Sequence, residues 1–155
     1  MRRLAVVLVL VVLPGCGSTA AQPPAGGPLE RFWADQAVAL LDGLDEALPR
    51  IARAGVGPGT LTDSSHLYEA LLGYTYVDSC GQQLANLGQP SARELEASNR
   101  LHEACARLRS ASALFTRAVR LKRPSLLVAA ASDALATVPL LRRARTVLAR
   151  VAPQS

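Results

Sequence analysis

Three cysteines, Cys16, Cys80 and Cys105, and two histidines, His66 and His102, carry the most reactive chemistry in this sequence. Thiols pair, ligate metal or act as nucleophiles according to compartment and neighbours. No Cys-x-x-Cys is present, and neither are the Glu-x-x-His pairs that hold two metals inside helical bundles. His66 stands three residues after Asp63 and three before Glu69, and His102 directly precedes Glu103. Those spacings predict local hydrogen bonds or solvated rings rather than a metal site. The glycine-rich run at residues 55–60 follows a helical pattern rather than a strand and lacks the lysine of a phosphate-binding loop. G-x-S-x-G and S-x-x-K are also missing, and Ser64 and Ser65 beside His66 read as helix-start residues. The expectation is a protein that is not an enzyme and uses no metal or cofactor, with catalysis only a residual reading.

Cys16 is set apart by what precedes it. Arg2 and Arg3 are followed by an unbroken apolar run at residues 4–13, then Pro14, Gly15 and Cys16. A charged start, a short apolar core and a small-residue exit form a secretory signal, and the run is far short of the roughly 20 residues that span a bilayer. Leu13, Pro14, Gly15 and Cys16 together resemble the lipobox of bacterial lipoproteins, Pro14 standing where that family usually has a small or β-branched residue. The resemblance covers the first sixteen residues. It implies a diacylglyceryl group on the Cys16 thiol, cleavage after Gly15, and a chain held on the outer face of the cell membrane. Ordinary signal cleavage nearby, leaving Cys16 free, is the competing reading.

The chain therefore divides into a signal at residues 1–15, a lipidated cysteine and tether at 16–28, and a folded domain at 29–155. Residues 17–28 hold no charge, no aromatic and no large aliphatic side chain, so they bury too little to offset the entropy of ordering. Twelve such residues reach at most about 40 Å and average roughly 20 Å as a coil.

Export leaves Cys80 and Cys105 in an oxidising compartment, where a disulfide is expected. Both lie on or beside the apolar stripes of consecutive helices. A third helix starting at Ser91 would put Cys105 about 21 Å from its start, against about 9 Å from Cys80 to the end of the second. Bringing the sulfurs level then requires the linker at residues 87–90 to run on extended for about 12 Å.

Apolar residues at i, i+3, i+4 and i+7 mark four helices. The first, at residues 29–51, uses Leu29, Phe32, Trp33, Ala37, Leu40, Leu41, Leu44, Ala47, Leu48 and Ile51, with Pro49 expected to kink or end it near Leu48. Phe32 and Trp33 fit the core stripe and are expected to pack there, an aromatic pair dipping into the membrane interface beside the tether being the other reading. The second runs over 64–87 with Leu67, Ala70, Leu71, Tyr74, Val77, Leu84 and Leu87, capped by Thr62 or Asp63 and stopped by Gly88 and Pro90. Ser91 and Glu94 form a capping box that predicts a sharp start for the third, whose seam is Leu95, Leu101, Cys105, Leu108, Phe115 and Val119. Pro124 or Ser125 opens the fourth, with Leu127, Ala134, Val138, Leu141, Leu148 and Val151 and a kink at Pro139. The apolar stretch at 126–141 contains Asp133 and Pro139 and reads as a buried helix rather than a membrane span. The expected fold is all-α, an antiparallel four-helix bundle with one disulfide.

Charge is distributed unevenly. Residues 16–106 carry five arginines against eleven acids, whereas residues 107–155 carry nine arginines and Lys122 against Asp133 alone. Export removes nucleic acid from the partners a basic half would otherwise imply. Anionic headgroups, an acidic envelope polymer or an acidic envelope protein remain, and Arg117, Arg120, Lys122, Arg123, Arg142, Arg143 and Arg145 are the candidate partner-binding surface. The opposing possibility is that these cations pair with the acidic helices of the same bundle. The functional expectation is a membrane-anchored interaction or adaptor module. The alternative is a carrier of a lipid or small apolar ligand in a bundle splayed by its prolines.

Overall fold

A computed structural model describes residues 28–54, 59 and 61–151. The signal, Cys16, the tether as far as residue 27 and most of the loop at 55–60 lie outside the described residues. Helices α1 (Pro28–Ala54), α2 (Ser64–Asn86), α3 (Leu95–Leu121), α4 (Pro124–Leu135) and α5 (Val138–Val151) follow in chain order, with no strand among the described residues. Helix α1 packs on α2, α2 on α3, α3 on α4 and α5, and α1 on both α4 and α5. The arrangement is a four-helix bundle in up-down order whose fourth arm is broken into α4 and α5.

On α1 the predicted stripe is the buried one: Trp33, Ala37, Leu40, Leu41, Leu44, Ala47, Leu48 and Ile51 all enter the core. Pro49 does not end the helix, which runs on to Ala54. A proline inside a helix costs about 3 kcal/mol. Continuation keeps Leu48 and Ile51 in the core, and burying two such side chains contributes about as much. The aromatic pair splits, Trp33 being 2% exposed and Phe32 57%, because adjacent helical residues point about 100° apart.

Asp63 caps α2, its Oδ1 accepting from the Ser65 N–H at 2.9 Å and the His66 N–H at 3.4 Å. Gly88, at φ 80°, turns the chain after the helix, a conformation that a β-carbon disfavours. The Ser91–Glu94 box is only half made. The buried Glu94 carboxylate accepts from the Ser91 N–H at 2.8 Å, while the Ser91 hydroxyl finds no partner among the described residues, and residues 92–94 form turns. Helix α3 consequently begins at Leu95, later than the capping box predicts. Cys105 then lies about 15 Å into α3, and an eight-residue connection, rather than an extended four-residue linker, brings it level with Cys80. The two cysteines form the disulfide, with Cα atoms 5.3 Å apart.

Helix α3 ends in a Schellman motif at Lys122, which adopts the left-handed conformation at φ 51°. The Lys122 N–H reaches the Val119 carbonyl and the Arg123 N–H reaches the Ala118 carbonyl. Pro124 opens α4 at once, where a missing N–H costs nothing. The break in the fourth arm falls at Ala136 and Thr137, just before Pro139. In an unbroken helix Pro139 would clash with the carbonyl four residues back, Leu135, and α4 ends there. The buried Thr137 hydroxyl donates to the Ala134 carbonyl at 2.6 Å, beside the Thr137 N–H at 3.2 Å, so this carbonyl stays satisfied through the break.

Leu71 and Leu95, assigned to the core by spacing, are exposed. Leu95 is the first residue of α3, at the rim, and α2 is apolar on two sides, so its spacing alone does not identify the inner one. Residues 124–151 are long and apolar enough to cross a membrane by length and composition. In the bundle this arm buries Leu127, Ala130, Ala131, Ala134, Leu141, Ala144 and Leu148.

Candidate cationic surface

The bundle sorts charge by layer. Helices α1 and α2 together carry seven acids and three arginines, and α3, α4 and α5 carry nine arginines and three acids. Pairing across the layers would neutralise this split, yet among the described residues it occurs once. Arg145 Nη2 reaches Asp42 at 2.8 Å and Asp45 at 2.7 Å. The Asp42 hydrogen bond foremost, together with the charges of Asp45 and Asp42, raises the Arg145 pKa despite an opposing effect of burial. Arg145 therefore links α5 to α1 through an exposed ion pair, which sets it apart from the other candidate cations.

The other six cations behave differently. Arg117, Arg120, Lys122, Arg123, Arg142 and Arg143 are all exposed, and none makes an ion pair among the described residues. Two groups result. Arg142 and Arg143 lie on the first turns of α5. Arg117, Arg120, Lys122 and Arg123 gather at the turn between α3 and α4, because the Schellman motif and Pro124 reverse the chain within two residues. By the up-down order, that turn is at the end of the bundle opposite the start of α1.

Both histidines are exposed. His66 Nδ1 is 3.2 Å from Asp63 Oδ2 on the exposed first turn of α2, and His102 is exposed on α3. Asp63 is held below its ordinary value by hydrogen bonds from the Ser65 hydroxyl, the Ser65 N–H and the His66 N–H, in that order. No group of three or more His, Cys, Asp or Glu side chains positioned to hold a metal occurs among the described residues.

A feature that sequence reasoning missed lies on the acidic layer. Tyr76 of α2 lies across α1 at Gly43, where an added β-carbon would meet the phenol ring and hydroxyl. On either side of Tyr76 the α1–α2 seam opens into a cleft. One, of about 370 Å³, is lined by Phe32, Gln36, Leu40, Tyr76, Gln83 and Leu87 among others, and one of about 270 Å³ by Gly43, Glu46, Ala47, Arg50, Leu72 and Tyr76. Partial burial first, then the charges of Glu46 and Asp42, raises the Tyr76 pKa. The available signal was Gly43 itself, since a mid-helix glycine costs about 1 kcal/mol relative to alanine and marks a close approach.

No family model matches the chain, and no curated protein or solved structure matches it.

Proposed function

We propose that this chain is a lipid-anchored extracytoplasmic protein that acts as a non-enzymatic interaction module, meeting an anionic envelope partner through its α3–α5 layer. The observation that carries the reading is the set of six exposed cations without an ion pair among the described residues, on a layer whose acids are few. Internal pairing accounts for Arg145 alone among the seven candidates. Anchorage at Cys16 is supported by the lipobox, and the uncharged tether keeps the bundle within about 40 Å of the headgroups. Dense, unpaired positive charge raises both encounter rate and selectivity for anions, and its effect weakens as salt screens it.

Crosslinking in intact cells tests this reading. The chain is expected to yield reproducible adducts that diminish when Arg142 and Arg143 are changed to Gln together with Arg117 and Arg120. Adducts unchanged by that neutralisation would remove the cationic layer from the account.

The α1–α2 clefts favour a second reading, transport of a small apolar ligand, since Phe32, Leu40, Tyr76 and Leu87 line a space of a few hundred Å³. This space is a groove on the outer face of the bundle, and α1 runs through Pro49 without a break. Titration with a fluorescent fatty acid tests it: saturable binding abolished by Tyr76→Ala supports a carrier, and no binding removes it.

A further inference from the structure

We propose that the α3–α4 turn is a foot that binds the surface of an anionic lipid bilayer. This deepens the interaction-module reading by naming the partner of one part of its cationic layer. Arg117, Arg120, Lys122 and Arg123 supply four exposed positive charges around a two-residue turn. Leu121, 43% exposed, and Val128, 55% exposed, flank them within the adjoining turns of helix. The described carboxylates at that end are both engaged, Asp63 in capping α2 and Glu69 with Arg50 at 3.2 Å. An end that joins unpaired cations to a few isolated aliphatic side chains matches a headgroup region, where cations meet phosphate and single apolar side chains dip to the acyl boundary. A rigid protein interface instead concentrates its energy in a contiguous, desolvated cluster.

Lys122 provides an independent observation. It is the only lysine in the chain and occupies the apex of the turn in the left-handed conformation, where glycine is the usual residue. A lysine there is strained relative to glycine, and strain at an exposed position points to a role for the side chain. A long stem carrying a charge can extend from such an apex into the headgroup layer.

The geometry also sets an orientation. The foot and the start of α1 are at opposite ends of a helix about 40 Å long, and a chain of the tether's length reaches at most about 40 Å. Upright on its foot, the bundle would stretch the tether to its limit. Engagement of foot and anchor with one membrane therefore lays the bundle along the surface, with the basic layer facing the headgroups and the acidic layer facing away.

The test uses the chain from residue 16 with Cys16→Ser, so that the result is independent of whether Cys16 is acylated. Co-sedimentation compares vesicles of phosphatidylglycerol and phosphatidylcholine with vesicles of phosphatidylcholine alone. The chain is expected to bind the anionic vesicles only, less tightly as salt rises. Each cation near the surface contributes about fivefold, so Arg117→Gln with Arg120→Gln weakens binding about 25-fold. Lys122→Gly is expected to weaken binding about fivefold while raising the melting temperature, a combination that a purely structural lysine does not produce. Arg93→Gln, exposed in the α2–α3 connection at the opposite end of the bundle, leaves binding within about twofold. Equal binding to both vesicle types, anionic binding unchanged in the double and Lys122→Gly variants, or binding to polyglutamate but not to vesicles would each overturn the proposal. The last result would assign the foot to an acidic protein.

Discussion

Tyr74 shows how a single side chain can hold a place in the core at a cost. Its ring stacks on Phe115 with centroids 4.1 Å apart, linking α2 to α3, and it is 1% exposed. Its hydroxyl has no hydrogen-bond partner among the described residues, and burial, with a smaller effect of Asp133, pushes the phenol pKa up. The stacking stabilises, whereas a buried unpaired hydroxyl costs about 1 kcal/mol or more. Tyr74→Phe keeps the ring and removes the hydroxyl, so denaturant unfolding is expected to show a gain of about 1 kcal/mol. A loss of stability would reveal a partner for that oxygen. Asp63 gives the residue scale a pH dependence. Its folded pKa lies below the ordinary 3.8, so its contribution is complete above that value and is lost as pH falls through the lower folded value. Asp63→Asn retains a capping side chain but does not titrate, and acid unfolding of this variant should lack that component.

At the scale of elements, the disulfide joins α2 to α3 across a sequence separation of 25. Closing a loop of that size in the unfolded chain contributes about 3 kcal/mol. Reduction, or Cys80→Ser with Cys105→Ser, is expected to lower the unfolding free energy by about that amount, measured by chemical denaturation with and without reductant. The pairing was readable from the cysteine count and the signal-like N-terminus, and its register was not. The register depended on where α3 begins, and the Ser91–Glu94 pattern pointed to a start that the chain does not use, because the Ser91 hydroxyl finds no partner among the described residues. Pro49 and Pro139 make the same point. Both remove a donor, but Pro49 lies between Leu48 and Ile51, whose burial favours continuation, whereas the helix breaks ahead of Pro139 and Thr137 keeps the Ala134 carbonyl satisfied. Local propensity identified both sites, and tertiary packing decided between them. Phe32 and Leu71 were misplaced for a related reason, since periodicity defines a stripe about half a helix wide and does not locate its edges.

For the whole molecule, the uneven charge along the chain becomes an acidic layer against a basic one, joined by Arg145 with Asp42 and Asp45 and otherwise unpaired across the layers at α5. The polarity was visible in the sequence as a change of sign near Arg107. The fate of individual cations was not, because only the packed bundle places Arg145 beside two carboxylates and gathers Arg117, Arg120, Lys122 and Arg123 at one end. The clefts beside Tyr76 were equally hidden, because they depend on which face of α2 meets Gly43. The proposed anchorage at Cys16 would hold this basic layer near a membrane. Mass spectrometry of the chain purified from the cells that make it tests that position most directly. A mature N-terminus at Cys16 carrying a diacylglyceryl thioether is expected, and a mature chain beginning elsewhere, or with an unmodified Cys16, would contradict the proposed anchorage.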